Sequence, residues 1–233
     1  MGTFANLKSS STLSLDLEVR VAATDADLVD AGRVRETAYG HHLGATVVNF
    51  GMASDPLDRA PGTVVLLCRD KATGQAVGTA RIQPSGSGAP LMIERSVILP
   101  HQLANQSRAE VTRLAVMPGA SALVKLCLMK AVYLYCEAHG IHWLVIAARN
   151  EALSRDYRRL GFKDFLAPGQ MVPLAHAGQL PHFVFTMDVQ GIEDEWHRTG
   201  HRLHHFMFEA MHEDLPQFRP SSLPGSSSQR LVA

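Results

Sequence analysis

The spacing of hydrophobic and polar positions changes along the chain, and the changes divide it into elements. Leu17-Glu18-Val19-Arg20-Val21-Ala22 alternates, the period of a strand with one face buried. Thr24-Asp25-Ala26-Asp27 has the form of a capping box, with Asp in place of the usual Glu. A helix is predicted from Asp25 to about His42, with Gly44 beyond it. Turning by about 100° per residue gathers Leu28, Ala31, Arg35, Ala38, Tyr39 and His42 into one stripe. Residues 46–60 follow no period. Thr63 to Arg69 and Ala76 to Gln83 read as two strands joined by the turn Lys71-Ala72-Thr73-Gly74-Gln75, an antiparallel hairpin. Val77, Thr79 and Arg81 alternate onto one face of the second. Pro84 to Pro90 is a Gly/Ser loop, and Leu91 to Leu103 fits neither period.

The second half is more regular. Glu110 to Val116 is a short strand stopped by Pro118 and Gly119. Ser121 to His139 is an apolar helix closed by Gly140. Trp143-Leu144-Val145-Ile146-Ala147-Ala148 is apolar without alternation, as in a strand covered on both faces. Glu151 to Leu160 is helical and ends at Gly161-Phe162, and His182 to Val189 is a last strand. Gly191 to Leu215 reads as an amphipathic C-terminal helix with Trp196, Leu203, Phe206, Met207 and Ala210 on one side. The polar, Ser-rich residues 1–16 predict a flexible N-terminus and the Pro/Ser residues 216–233 a disordered tail. One domain, 17–190, is expected between the start and the helix at 191–215. No internal repeat is present.

Composition narrows the class. In a chain of 233 residues, 46% hydrophobic and 19% charged positions are enough for a folded core. A net charge of zero gives no support for bulk nucleic-acid binding. Cys68, Cys127 and Cys136 are an odd number in apolar surroundings with no Cys-x-x-Cys pair, which argues against a disulfide framework or thiolate zinc site. They fit core thiols in a reducing compartment. With no secretory leader pattern and no apolar run of membrane-spanning length, a cytoplasmic location is expected.

The chemistry lies in charges placed where apolar residues belong. Glu110 and Arg113 share a strand that should be buried, and charges are rarely buried unless paired or used. Alternation sends them to opposite faces, so they meet in one site only if an extra residue bulges the strand. The bland alternative is a strand end with a solvated Glu and a paired Arg. Arg35 lies in the middle of the buried-looking stripe, where its head either snorkels out or serves a site. His197, His201, His204, His205 and His212 crowd the polar side of the last helix. A solvated face is the simpler reading, and no metal is expected. Arg149, Arg155, Arg158, Arg159 and Lys163 form either a solvated basic face or a docking surface.

The order of elements, with Asn150-Glu151-Ala152 and Tyr157-Arg158-Arg159-Leu160-Gly161-Phe162 after the central strand and helix, resembles the GNAT acyltransferase fold. Four N-terminal motifs narrow the resemblance: Arg35-x-x-x-Tyr39, Asp55-x-x-Asp58, Gly78-Thr79-Ala80-Arg81-Ile82-Gln83-Pro84 and Glu110-x-x-Arg113, in that order. The chain is similar to the acyl-homoserine-lactone synthases and, more closely, to the N-acyl amino acid synthases, over about Val19 to Val189. Two departures weigh against adenosylmethionine and lactone chemistry. No Trp comes shortly after Tyr39, which is followed by His41-His42-Leu43, the first Trp being Trp143, and Ala53 stands where the lactone synthases begin their acidic cluster with Glu. Met117 to Leu123 has one Gly and no basic residue, unlike the pyrophosphate loop of the acetyl-CoA enzymes.

The resemblance implies an α/β, GNAT-like fold: a central mixed, twisted sheet flanked by helices, split beside Glu110–Val116. It implies an N-acyltransferase that carries a long-chain fatty acyl group from an acyl carrier protein, or from acyl-CoA, to the amine of an amino acid acceptor. The thioester is a co-substrate, and no cofactor is required. Glu110 is the candidate base, with Arg113 and Arg81 beside it. Arg35, Tyr39, Asp55, Asp58, Val111, Thr112, Leu114, Ala115 and Val116 are the candidate substrate-binding positions. Arg155, Arg158, Arg159 and Lys163 are the candidate carrier dock. Short-chain acetyl transfer, lactone-type signal synthesis and a catalytically silent acyl- or protein-binding module are the alternatives on the same fold.

Overall fold

The computed structural model describes residues 14–43, 55–85 and 90–219, and for 42–43 the backbone only. Most of the expected flexible N-terminus and tail, Gly44, Ala53 and the side chain of His42 fall outside the described residues.

The chain order is β1 (Leu17–Val21), α1 (Asp25–Leu43), a 3-10 turn (Pro56–Arg59), β2 (Val64–Asp70), β3 (Ala76–Pro84), a second 3-10 turn (Met92–Arg95) and the short α2 (His101–Ala104). Then come β4 (Arg108–Val116), α3 (Leu123–Ala138), β5 (Trp143–Ala148), α4 (Glu151–Arg159), β6 (Lys163–Asp164) and β7 (Val172–Leu174). A third 3-10 turn (Ala175–Ala177), β8 (Leu180–Asp188), α5 (Ile192–Thr199) and a π turn (His205–Glu209) complete it. One sheet runs β1-β2-β3-β4-β5-β8-β6, with β7 pairing to β8. β4 and β5 are parallel and the other pairs antiparallel. The mixed sheet expected of the fold is present.

Alternation along β2 explains the layers. Val65 and Leu67 pack with Ala31 of α1, while Leu66 and Cys68 pack in the cluster that holds Val124, Cys127 and Leu128 of α3. The two helices therefore cover opposite faces. The capping box at the start of α1 is reciprocal: Asp27 N–H donates to Thr24 Oγ1 at 3.1 Å and Thr24 N–H to Asp27 Oδ2 at 3.2 Å. Gly78 lies where α3 crosses β3; a Cβ there would stand 2.4 Å from Val124 Cγ1 and 3.0 Å from Leu128 Cδ1. β5 is covered on both faces as its composition requires, Leu144 and Ile146 in the α3 cluster and Val145 against Ile93, Leu174 and Val184. All three cysteines are buried and free. Among the described residues no helix is long and apolar enough to cross a membrane.

Three expectations need correction. The helix expected over 191–215 ends at Thr199, because Gly200 takes a left-handed φ of 62° and closes it. The chain then folds back through the π turn. His201 consequently stacks on Trp196 at 3.7 Å between centroids, and His212 is buried, rather than both lining a solvated helix face. On β3, Val77 packs with the α3-side cluster, away from Thr79 and Arg81, because the β2–β3 register shifts beside it. Residues 91–104, which show no sequence period, are two short helical turns around a stretch without regular structure.

The last described segment returns to the first strand. Val19 N–H of β1 donates to the Asp214 carbonyl at 2.8 Å, and Lys71 pairs with the Asp214 carboxylate at 2.8 Å. Lys130 of α3, buried and with burial lowering its ammonium to about 8, donates to the carbonyls of Phe206 and Ala210.

Candidate active site

The β4–β5 ladder runs from Arg108↔Trp143 to Val111↔Ile146 and stops. Beyond it the two parallel strands separate, β4 staying on β3 to Val116 and β5 on β8 to Ala148. The register of β3 on β4 shifts between Thr79↔Ala115 and Arg81↔Thr112, which leaves one extra residue on β4. Arg113 sits there with a φ of 56°, a left-handed conformation that non-glycine residues adopt rarely and at a cost. This is the bulge that Glu110-x-x-Arg113 requires. It returns both side chains to the α1 side of the sheet.

A cavity of about 170 Å³ opens at the split. Glu110, Arg81, Thr112, Arg113 and Tyr39 form its polar end, and Leu114, Ile146, Leu153, Tyr157, Leu174 and Leu180 are among its apolar walls. Val111 also lines it. Ala115 packs instead against Val34 and Ala38 of α1, and Val116 lies with the α3-side core.

Glu110 is 1% exposed. Ile93 N–H donates to its Oε2 at 3.0 Å. Burial raises the carboxyl to about 7, against the pull of the Ile93 and Met92 amides and of Arg81. A carboxyl that titrates near neutrality, in a cavity, has the property of a general base.

Beneath it lies an ionic cluster. Arg35 of α1 and Arg81 of β3 are fully buried. Arg35 Nη1 meets Asp58 Oδ2 at 2.5 Å, and Arg81 Nη1 meets Asp55 Oδ2 at 2.7 Å and Asp58 Oδ1 at 3.3 Å. Arg113 Nε donates to Asp55 Oδ2 at 3.0 Å, and Arg81 Nε to Thr112 Oγ1 at 2.9 Å. Asp55 also accepts from Leu57 N–H and so caps the first 3-10 turn. With about three residues per turn, that turn sets Asp55 and Asp58 on the same side. Burial alone would raise the Asp55 carboxyl, but Arg81, the Leu57 amide and Arg113 hold it below the usual range. Arg35 Nε and Nη2 are buried without a hydrogen-bond partner among the described residues. Tyr39 O–H points to the Leu114 carbonyl at 3.4 Å, and burial raises its pKa.

Besides apolar wall residues, four polar or titratable residues of the cavity were not singled out from sequence for the site itself: His176, His182, Arg149 and Tyr157. Tyr157 falls in the helix whose motif carries the fold resemblance. His176 lies on a turn with no periodic signal, so nothing local marks it. The basic residues of the candidate dock are mostly paired. Arg158 makes two 2.8 Å bonds to Asp164, Arg159 approaches Asp156 at 3.7 Å, and Lys163 reaches Glu195 at 2.7 Å. Arg155 has no ion pair among the described residues. No group of three or more His, Cys, Asp or Glu among the described residues is placed to hold a metal.

A family model for the N-acyl amino acid synthase FeeM matches residues 30–179. Solved structures share the fold. The N-acyl amino acid synthase FeeM from uncultured soil microbes superposes with a TM-score of 0.58 at 20% identity, over 82% of this chain and 98% of that one. The CoA-dependent acyl-homoserine lactone synthase BjaI, solved with SAM and isopentyl-CoA, gives 0.53 at 20% identity over 80% and 90%. A GNAT-family chain from Desulfovibrio desulfuricans gives 0.52 at 15% identity over 74% and 99%. No curated protein matches the chain.

Proposed function

The chain belongs to the family of the N-acyl amino acid synthase FeeM and is an acyltransferase; on that premise we propose that it moves a long-chain fatty acyl group from an acyl carrier protein thioester, or from acyl-CoA, to the amine of an amino acid. The observation that carries the reading is Glu110, buried yet titrating near neutrality, at the point where β4 and β5 part.

The split gives an extended acyl-pantetheine arm a place beside β4, and the apolar walls suit an alkyl chain. The acceptor's amine nitrogen attacks the thioester carbonyl carbon. A C–N bond forms, and the carbonyl oxygen becomes an oxyanion beside the β4 bulge, where main-chain N–H groups not used by the β5 ladder are available. Glu110 takes the proton that the nitrogen loses. Collapse of the tetrahedral intermediate restores the carbonyl and expels the thiolate, which is reprotonated to the thiol. Tyr157, kept protonated by burial, is the hydroxyl in the same wall. The Arg35–Asp58–Arg81–Asp55–Arg113 cluster holds the polar end rigid, and its excess of guanidinium favours the acceptor's carboxylate.

A carrier-bound donor is favoured over CoA by the run Met117 to Leu123, which offers one glycine and no basic residue for a pyrophosphate. Arg155, Arg158, Arg159 and Lys163 are the proposed dock; because most are bridged, an acidic carrier must exchange partners with Asp164, Asp156 and Glu195. The test is incubation with the same long acyl chain on carrier protein and on CoA, with pooled amino acids, and detection of N-acyl products by mass. Acetyl transfer alone, or thioester binding without product, would replace this reading with an acetyltransferase or a silent binding module.

A further inference from the structure

Glu110 is held by the backbone amides of Ile93 and Met92, and one of its oxygens also faces a histidine ring. Oε2 is held by the amide of Ile93, in the second 3-10 turn. Oε1 faces His176 Nε2 at 3.6 Å, just beyond hydrogen-bond length. His176 comes from an element far away in sequence, the third 3-10 turn, yet it lines the same cavity. Two features fix its place. Ala175 N–H donates to Ser96 Oγ at 2.8 Å, tying this turn to the one that holds Glu110. After it, Gly178 and Gln179 both take left-handed φ values, 65° and 63°, and Gln179 is not a glycine. Such backbone is kept where the surroundings over-determine it.

The ring's own environment selects its tautomer. Nδ1 is buried with no hydrogen-bond partner among the described residues. An acceptor, the Glu110 carboxylate, lies on the Nε2 side and none is found for Nδ1 among the described residues, so the proton belongs on Nε2, toward Glu110. The Met92 carbonyl and, when ionised, Glu110 favour a charged ring, but burial outweighs them. Burial lowers it to about 4, and His182 of β8, Arg113 of β4 and Arg81 of β3 add to the effect.

We propose that His176 is a positioning residue for the base: its Nε2–H closes onto Glu110 Oε1 when the acceptor enters, holding the carboxylate with its remaining lone pair toward the amine. This rests on the acyltransfer reading of the site. Hydrogen bonds that are long in an unliganded site commonly tighten in the substrate complex. Donation to the ionised form favours it, so the contact holds the Glu110 titration below the value that burial alone would impose.

The test replaces His176 with Leu, which fills the space without a donor, and with Gln, which returns an N–H near the Nε2 position. His176→Leu should move the acidic limb of the kcat–pH profile up by about one unit, back toward 7, a loss of about fivefold at pH 6 and about twofold at pH 7 that recovers at pH 9. His176→Gln should bring the limb back toward its original place. The carboxylic-acid band of Glu110, identified in infrared difference spectra by its absence from Glu110→Gln, should shift with the limb when an acceptor amino acid is added. A limb and band that stay put in His176→Leu, or a Gln variant no better than Leu, overturn the proposal. Absence of any N-acyl product from the unaltered protein would instead count against the acyltransfer reading, while the infrared titration still tests the His176–Glu110 contact.

Discussion

Glu110→Gln should cost the protein its activity and raise its stability in alkaline solution. The carboxyl titrates at about 7 in the fold against 4.5 for an unperturbed Glu. The folded state therefore prefers the protonated form. Its contribution to stability is fully present below pH 4.5 and is lost as pH rises to about 7, after which the penalty is constant. The full penalty is about 3 kcal/mol at 1.36 kcal/mol per pK unit. Gln cannot ionise, so it escapes this penalty but carries a pH-independent cost for its amide, which must find a partner where Oε1 faces His176. That cost cancels when the variant is compared with the unaltered protein at two pH values. Urea denaturation at pH 5 and pH 9 should show Glu110→Gln gaining about 2–3 kcal/mol relative to the parent between them. Turnover of an acyl-thioester should fall by roughly 10² or more. A stability difference that stays flat from pH 5 to pH 9 would mean that Glu110 ionises normally in the fold, and the reasoning from burial to base would fail. Full turnover in a folded variant would assign the base elsewhere.

Three further outcomes follow from the geometry. Asp58→Ala should destabilise by about 3–5 kcal/mol, because it leaves Arg35, fully buried, without its carboxylate; an Arg35→Leu, Asp58→Leu double variant should recover part of that in the same denaturation assay. Gly78→Ala should cost about 1–3 kcal/mol through the clash with Val124, and Val124→Ala in the same chain should relieve it. Reversing Arg155, Arg158 and Arg159 to Glu should raise the Michaelis constant for the carrier-bound donor only, with a dependence on salt; equal effects on carrier-bound and CoA-bound donors would remove the dock.

The sheet and its site were readable to the extent that local pattern determined them. β5 was legible to the residue because an uninterrupted apolar run has one natural home, between two covered faces. The bulge was legible because Glu110 and Arg113 cannot share a face of a regular strand, and burying either alone is expensive. Asp55 and Asp58 were visible as a pair, but their partners follow only from tertiary placement of α1, β3 and β4. His176 could not be read. A single histidine in a stretch without period gains its meaning from Ser96 and Glu110, which reach it through the fold. The error over 191–215 has a different origin. Gly200 is a recognisable helix stop, but apolar residues on either side of it continue the helical spacing because both segments pack on the same core. Periodicity reports which face is buried, and it does not notice that the chain has turned.

The strap from Phe206 to Asp214 bears on how the protein emerges from a ribosome. It follows every strand in the chain, yet it supplies the carbonyls that accept Lys130 and the backbone partner of Val19. Until it arrives, α3 must either bury an ammonium without acceptors or stay undocked, and β1 shows an open edge to other nascent chains. The core facing α3 is therefore sealed only after nearly all of the described chain has been synthesised. Premature termination beyond α5 should yield protein that holds all eight strands but is taken up by chaperones or lost to aggregates.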